Sequence, residues 1–165
     1  MTRDTAFRVQ RLLRGLLGVL MVWAAISKLA NPTEFLGSIY AYKLPLPQLF
    51  MQATAVVLPW LELLCGLLLV AGLWVETALL AVTALLTLFV FATGQAWLRG
   101  LEIGCGCFSL KVFGLDSNPE LERFLESVAF AFFRNLVLLA VAALLLHKKL
   151  ATSSTVVPES TVNRP

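Results

Sequence analysis

Two cysteines separated by a single glycine, in the run Gly104-Cys105-Gly106-Cys107-Phe108, are the residues of this chain best suited to chemistry. A bridge between them requires their Cα atoms to lie within about 4.4–6.8 Å of each other. A bent three-residue segment can reach that separation, and the flanking and central glycines permit the unusual dihedrals. Such a bridge would be strained and easily reduced, and strained, exposed pairs exchange thiols rather than staple a fold. So short a loop also yields little entropic stabilisation, which weighs against a purely structural role. Redox exchange is therefore the leading reading of Cys105 and Cys107, ahead of a static pair and of metal binding. Metal ranks last because the sole histidine, His147, stands beside Lys148 and Lys149 at a cationic helix end, predicted at the opposite membrane face. No metal site is expected.

The elements that must carry this pair are set by hydropathy. The 165 residues are 59% apolar and only 14% charged, with a mean hydropathy of +0.84. Soluble domains carry roughly 25% charge, so a water-soluble globule is excluded. Four stretches are apolar enough to cross a bilayer: Gly15 to Ser27, a run within Leu49 to Leu73, a run within Thr77 to Leu98, and a run within Ser127 to Leu146. The first is short and gains length if Arg14 and Lys28 snorkel outward at its ends. A signal peptide is the rival reading of that basic start, but no clear cleavage site follows it. Trp74 and Trp97 bracket the third stretch, roughly 34 Å apart on a helix, as an aromatic belt would require. The fourth helix is expected to begin early, with Asn118 as cap and Pro119 at its first position.

The fold class is thus all-α, a polytopic bundle of four transmembrane helices spanning residues 1–150, with residues 151–165 as a disordered tail. The short linker between the second and third spans demands an antiparallel hairpin. Arg3, Arg8, Arg11, Arg14, Lys148, Lys149 and Arg164 gather on the side of the termini, against Lys28, Lys43, Arg99, Lys111 and Arg123 opposite. The excess places the termini in the cytoplasm and the loop 99–126 in the periplasm of an inner membrane. Membrane lipid is then the obligatory surrounding. The net charge of +3 is dispersed between apolar runs, so nucleic acid is not a partner.

Polar residues inside the spans come next. Glu62 lies near mid-membrane and Arg134 about two turns into the fourth span, and each charge costs roughly 2.5–3.5 kcal/mol to insert at the centre. With the second and fourth spans parallel, a Glu62–Arg134 pair is expected, with Asn135 adding hydrogen bonds. Pro59 frees the carbonyl of Ala55 and adds to a polar pocket at this depth. Cys65 reads as a buried small hydrophobe. The apolar side chains around Cys105 and Cys107, such as Ile103, Phe108 and Val112, place their loop on the membrane interface. There a lipid-soluble electron carrier and a periplasmic thiol protein could both reach the sulfurs. A quinone is the candidate carrier, although no residue pattern marks a site for it.

These residues resemble those of the MauE family, within the broader DoxX-like group of small four-helix membrane proteins. The likeness runs from about Leu12 to Leu146. It rests on Ser27-Lys28-Leu29 with Pro32 and Phe35, on Tyr42-Lys43-Leu44-Pro45, and on Leu58-Pro59-Trp60-Leu61-Glu62 with Gly66. It continues through Arg99-Gly100, Cys105-Gly106-Cys107-Phe108 and Arg134-Asn135-Leu136. Gly104 and Ser109 depart from the usual run. The resemblance implies a redox-associated membrane protein needed for maturation of methylamine dehydrogenase, whose small (beta) subunit contains many disulfides. It also implies a thioredoxin-like partner or a disulfide-containing client in the periplasm.

Three functions compete. In the first, Cys105 and Cys107 pass a disulfide to or from that partner, with Arg99 favouring a thiolate and Lys28, Glu62 and Arg134 holding the bundle. The second, suggested by the DoxX likeness, is a non-catalytic subunit of a quinone-linked respiratory complex. The third, a small-solute carrier using the Glu62 pocket, ranks last because paired broken helices and an internal repeat are missing.

Overall fold

The computed structural model describes residues 3–43, 45, 47–100 and 127–154. Five helices account for nearly all of them: α1 (Arg3–Ala30), α2 (Pro32–Ala41), α3 (Gln48–Ala71), α4 (Val75–Leu98) and α5 (Val128–Ser154). Four of these, all but α2, contain stretches long and apolar enough to cross a membrane: Phe7–Ala30, Gln48–Ala71, Val75–Leu98 and Val128–Leu150. They pack as a bundle, with α1 against α3, α3 against α4, α4 against α5, and α5 closing back on α1. Leu17, Met21, Leu69, Leu79, Val82 and Leu86 form the centre of its core, and the free thiol of Cys65 lies among them as a small hydrophobe. Large apolar side chains such as Leu16, Val57, Leu67, Phe91 and Val137 point outward. Water would penalise that surface, whereas lipid solvates it.

Local chemistry explains where the helices stop. The hairpin between α3 and α4 turns at Gly72, whose φ of 76° suits a residue without a Cβ, and the amides of Gly72 and Leu73 both donate to the Leu68 carbonyl. Pro32 opens α2 at its first turn, where the missing amide costs nothing. Pro59 lies within α3, which continues through it. Among the described residues the fourth membrane helix begins at Val128, where the Phe130 amide donates to the Ser127 hydroxyl at 3.3 Å. At its other end α5 continues to Ser154, into the segment expected to be a disordered tail.

Two glycines set the register of the α1–α3 pair. A Cβ placed on Gly18 would sit 2.8 Å from the Gly66 carbonyl oxygen, and one on Gly66 would sit 2.9 Å from the Gly18 carbonyl oxygen and 3.0 Å from the Val22 amide nitrogen. The obstructing atoms are backbone and cannot swing aside, so the helices touch only because both positions lack side chains. Gly66→Val should therefore destabilise the bundle by about 1–3 kcal/mol. Gly15→Ala, where a Cβ meets nothing within 4 Å, should be neutral or slightly stabilising. Thermal unfolding of the two variants in detergent checks the contrast.

Candidate functional site

The register of α1 and α3 brings two opposite charges together inside the bundle. Because the helices are antiparallel with Gly18 facing Gly66, Lys28 and Glu62 stand about six positions out of alignment, about 9 Å along the axes. Side chains on a helix lean toward its N-terminus, so Lys28 reaches back along α1 while Glu62 reaches back along α3, and each covers part of the gap. The Lys28 Nζ donates to both carboxylate oxygens of Glu62, at 2.6 and 2.8 Å. Both side chains are 2% exposed.

This corrects two expectations. Lys28 does not snorkel to the interface, because a carboxylate one helix away offers a better partner than the headgroup region. The ion pair that closes on Glu62 comes from Lys28, whereas Arg134, the expected partner, stands on the wall of the same cavity. Two aromatic rings complete the lysine's surroundings: its Nζ lies 4.6 Å from the centre of the Phe89 ring and 5.5 Å from that of Phe35. Cation–π attraction of this kind grows in a desolvated setting. Phe35 belongs to α2, which packs on α3 through Phe35, Ile39, Ala55 and Leu58 and so covers the pair from one side. Neither phenylalanine carries a sequence signal for this role, since an aromatic in an apolar run is first of all core.

The pair borders a cavity of about 120 Å³ between α1, α3, α4 and α5. Four of the polar residues singled out in the sequence line it: Lys28, Glu62, Arg134 and Asn135. They come from three helices and from positions as far apart as 28 and 135, yet share one depth in the bundle. Asn135 is 4% exposed. The rest of the wall is apolar. Among the described residues no three His, Cys, Asp or Glu side chains gather in a way that could hold a metal ion. His147 is exposed near the far end of α5.

Arg99 is placed apart from the cavity, at the end of α4. Its guanidinium Nη1 and the Gln95 side-chain amide both donate to the Tyr42 carbonyl, each at 3.4 Å, which ties the end of α2 to the end of α4. Trp97 stacks on Phe132 at 5.6 Å and meets Phe133 edge-on at 5.7 Å, joining α4 to the start of α5. Chain connectivity makes this the end of the bundle from which residues 101–126 depart and to which they return. The cavity lies in the same half, with Lys28 in the last turn of α1 and Arg134 and Asn135 about two turns into α5. Cys105 and Cys107 themselves lie outside the described residues, as do Asn118 and Pro119.

Comparison with known proteins places the chain. The family model described as methylamine utilisation protein MauE matches residues 7–148, which takes in all four membrane helices. The chain belongs to the MauE family. Among curated relatives, it is 48% identical over 86 residues to the methylamine utilization protein MauE of Methylophilus methylotrophus, covering 51% of this chain and 44% of that protein. It is 39% identical over 97 residues to the MauE of Paracoccus denitrificans, covering 58% of this chain and 52% of that one. The chain thus spans about half the length of the curated relatives it matches. No solved structure matches. The match to the MauE family takes in Lys28, Glu62, Arg134 and Asn135 as well as the Cys105-Gly106-Cys107 run, so cavity and cysteine pair fall within one family domain.

Proposed function

We propose that this MauE-family protein is a membrane thiol–disulfide exchange protein that matures a disulfide-containing client outside the cytoplasm. The observation that carries the reading is the Cys105-Gly106-Cys107 run, inside the family match, in the connection between α4 and α5. In the exchange, a thiolate of the partner attacks one sulfur of a Cys105–Cys107 disulfide, breaking that S–S bond and forming a mixed disulfide. The partner's second thiolate then attacks the mixed bond. The partner leaves with its disulfide, and Cys105 and Cys107 are left as a dithiol that has gained two electrons and two protons. The reverse sequence reduces the partner by the same steps.

Supporting residues act at a distance from the sulfurs. Arg99, six residues before Cys105, is a fixed positive charge at the base of the connection and favours a thiolate near it. Lys28 and Glu62 lock α1 to α3 beneath it. The relatives are named for methylamine utilisation, which supports a client in that metabolism, with the small subunit of methylamine dehydrogenase as the leading one and a thioredoxin-like protein as the redox partner. The charge bias of the termini supports cytoplasmic ends and a periplasmic cysteine loop.

Labelling intact cells with a membrane-impermeant thiol reagent tests this reading. Cys105 and Cys107 should label only after treatment with a reductant, without permeabilising the membrane, while buried Cys65 stays unlabelled throughout. Labelling that requires permeabilisation, or sulfurs inert to reductant and oxidant alike, overturns it.

A further inference from the structure

Arg14 is a cation of α1 that neither the buried ion pair nor the cavity uses. It stands one turn before Gly18, and the close approach of α1 and α3 lays its guanidinium on the turn between α3 and α4. A Cβ placed on Gly72 would sit 2.8 Å from one Nη of Arg14 and 3.3 Å from its Cζ. Gly72 is thus required twice, by its φ of 76° and by the guanidinium seated on it. Arg14 is half-buried, and its Nε is a fully covered donor with no hydrogen-bond partner among the described residues. Glu76, the carboxylate described at this end of the bundle, does not accept from it. A guanidinium keeps its charge at any ordinary pH, so this one cannot escape the cost of lost hydration by releasing a proton.

We propose that Arg14, seated on the Gly72 turn, binds the phosphate of an anionic phospholipid. The depth of the group selects that ligand. Trp74, two residues after Gly72, is 78% exposed, and exposed tryptophans of membrane proteins sit at headgroup level. Leu13, next to Arg14, packs in one cluster with Leu145, so the end of α5 arrives at the same height and brings the exposed Lys148 and Lys149 to the side of the exposed Arg8 and Arg11. Such a concentration of cations attracts anionic lipid. A phosphodiester offers two oxygens spaced to accept from the Nε–Nη edge of a guanidinium once that edge turns outward, a fit that a lysine does not provide. The exposed Val70 and Leu73 beside the turn give the acyl chains an apolar surface to follow. An acidic protein segment would have to displace lipid already present at this depth.

The site lies at the end of the bundle opposite to the connection that carries Cys105 and Cys107, so it stands apart from the thiol-exchange reading and neither depends on the other. Its role is to supply the counter-charge that the chain itself does not give Arg14, fixing the start of α1 and the α3–α4 hairpin at one height in the membrane.

Native mass spectrometry of the full chain, released from micelles with added phosphatidylglycerol or phosphatidylcholine, tests the proposal. One phosphatidylglycerol should stay bound where phosphatidylcholine is lost. Arg14→Gln should weaken that binding about thirtyfold, the effect of losing a two-pronged, charge-assisted hydrogen bond. Arg11→Gln removes an exposed charge from the same helix and should cost only about fivefold, as a contribution to the surrounding field. Arg14→Lys keeps the charge without the fork and should fall between the two. Gly72→Ala pushes the guanidinium off its seat and should weaken binding as well, while Lys43→Gln at the other end of the bundle should leave it unchanged. Equal losses for Arg11→Gln and Arg14→Gln would mean diffuse attraction without a site, and equal retention of the two lipids would mean no preference for negative charge; either overturns the proposal. Displacement of the lipid by excess inorganic phosphate assigns the site to a free anion and overturns it too.

Discussion

Membrane vesicles carrying the Cys105→Ser/Cys107→Ser variant should oxidise none of the partner's thiols, although the protein inserts and folds normally. A serine hydroxyl can neither form a disulfide nor leave as a thiolate, so the expected effect is complete loss rather than a reduced rate. The single substitutions are more informative. Given an oxidised partner, the cysteine that attacks the partner's disulfide will, when left alone, break that S–S bond and hold the partner as a mixed disulfide that its missing neighbour cannot release. One of Cys105→Ser and Cys107→Ser should therefore accumulate a covalent adduct on non-reducing gels, and the other should not. Partner oxidation that persists in the double variant would mean that these sulfurs play no part in it.

The second large effect concerns the buried ion pair. Lys28→Met leaves the Glu62 carboxylate without its ammonium in a region where both side chains are 2% exposed. Breaking one side of such a pair costs about 3–5 kcal/mol, or two to nearly four orders of magnitude in the folding equilibrium. Glu62→Gln should cost a similar amount by stranding the lysine between the Phe35 and Phe89 rings. The double variant Lys28→Met/Glu62→Leu removes both charges and both desolvation penalties, and should recover much of the loss. Reversible unfolding in mixed micelles gives the four stabilities of the cycle. Strictly additive losses would show that the two side chains are energetically independent, against the contact geometry.

Arg134 invites a contrasting expectation within the same region. It lines the cavity but is less deeply buried than its neighbour Asn135. The sequence marks both residues equally, as polar positions about two turns into an apolar helix. Which of them faces inward is a matter of helix phase. The hydrophobic pattern of α5 is too uniform to fix that phase, because an all-apolar helix has no polar face to orient it.

Register explains the one pairing that sequence reasoning assigned to the wrong cation. Glu62 was bound to need a positive partner, since an isolated carboxylate at that depth is too costly to persist. The sequence points to Arg134 for that partner, since a lysine at the end of an apolar run usually reaches the interface. The close approach of Gly18 and Gly66 decides otherwise, by setting α3 at a height where its carboxylate lies below the lysine and within reach of its flexible stem.

By itself the sequence determines that this protein is an all-helical membrane bundle. Hydrocarbon satisfies no backbone hydrogen bonds, so uncharged runs of this length must be helices, and a glycine-containing turn as short as that before Trp74 must fold two of them into a hairpin. It likewise determines which residues carry unusual chemistry, because a charge or a closely spaced cysteine pair is conspicuous against so apolar a background. Only the tertiary structure decides which of those residues meet. Lys28, Glu62, Arg134 and Asn135 converge on one cavity through the axial offset and rotation of the three helices that carry them. Those two quantities depend on how facing side chains pack, and a one-dimensional pattern of apolar residues does not contain them.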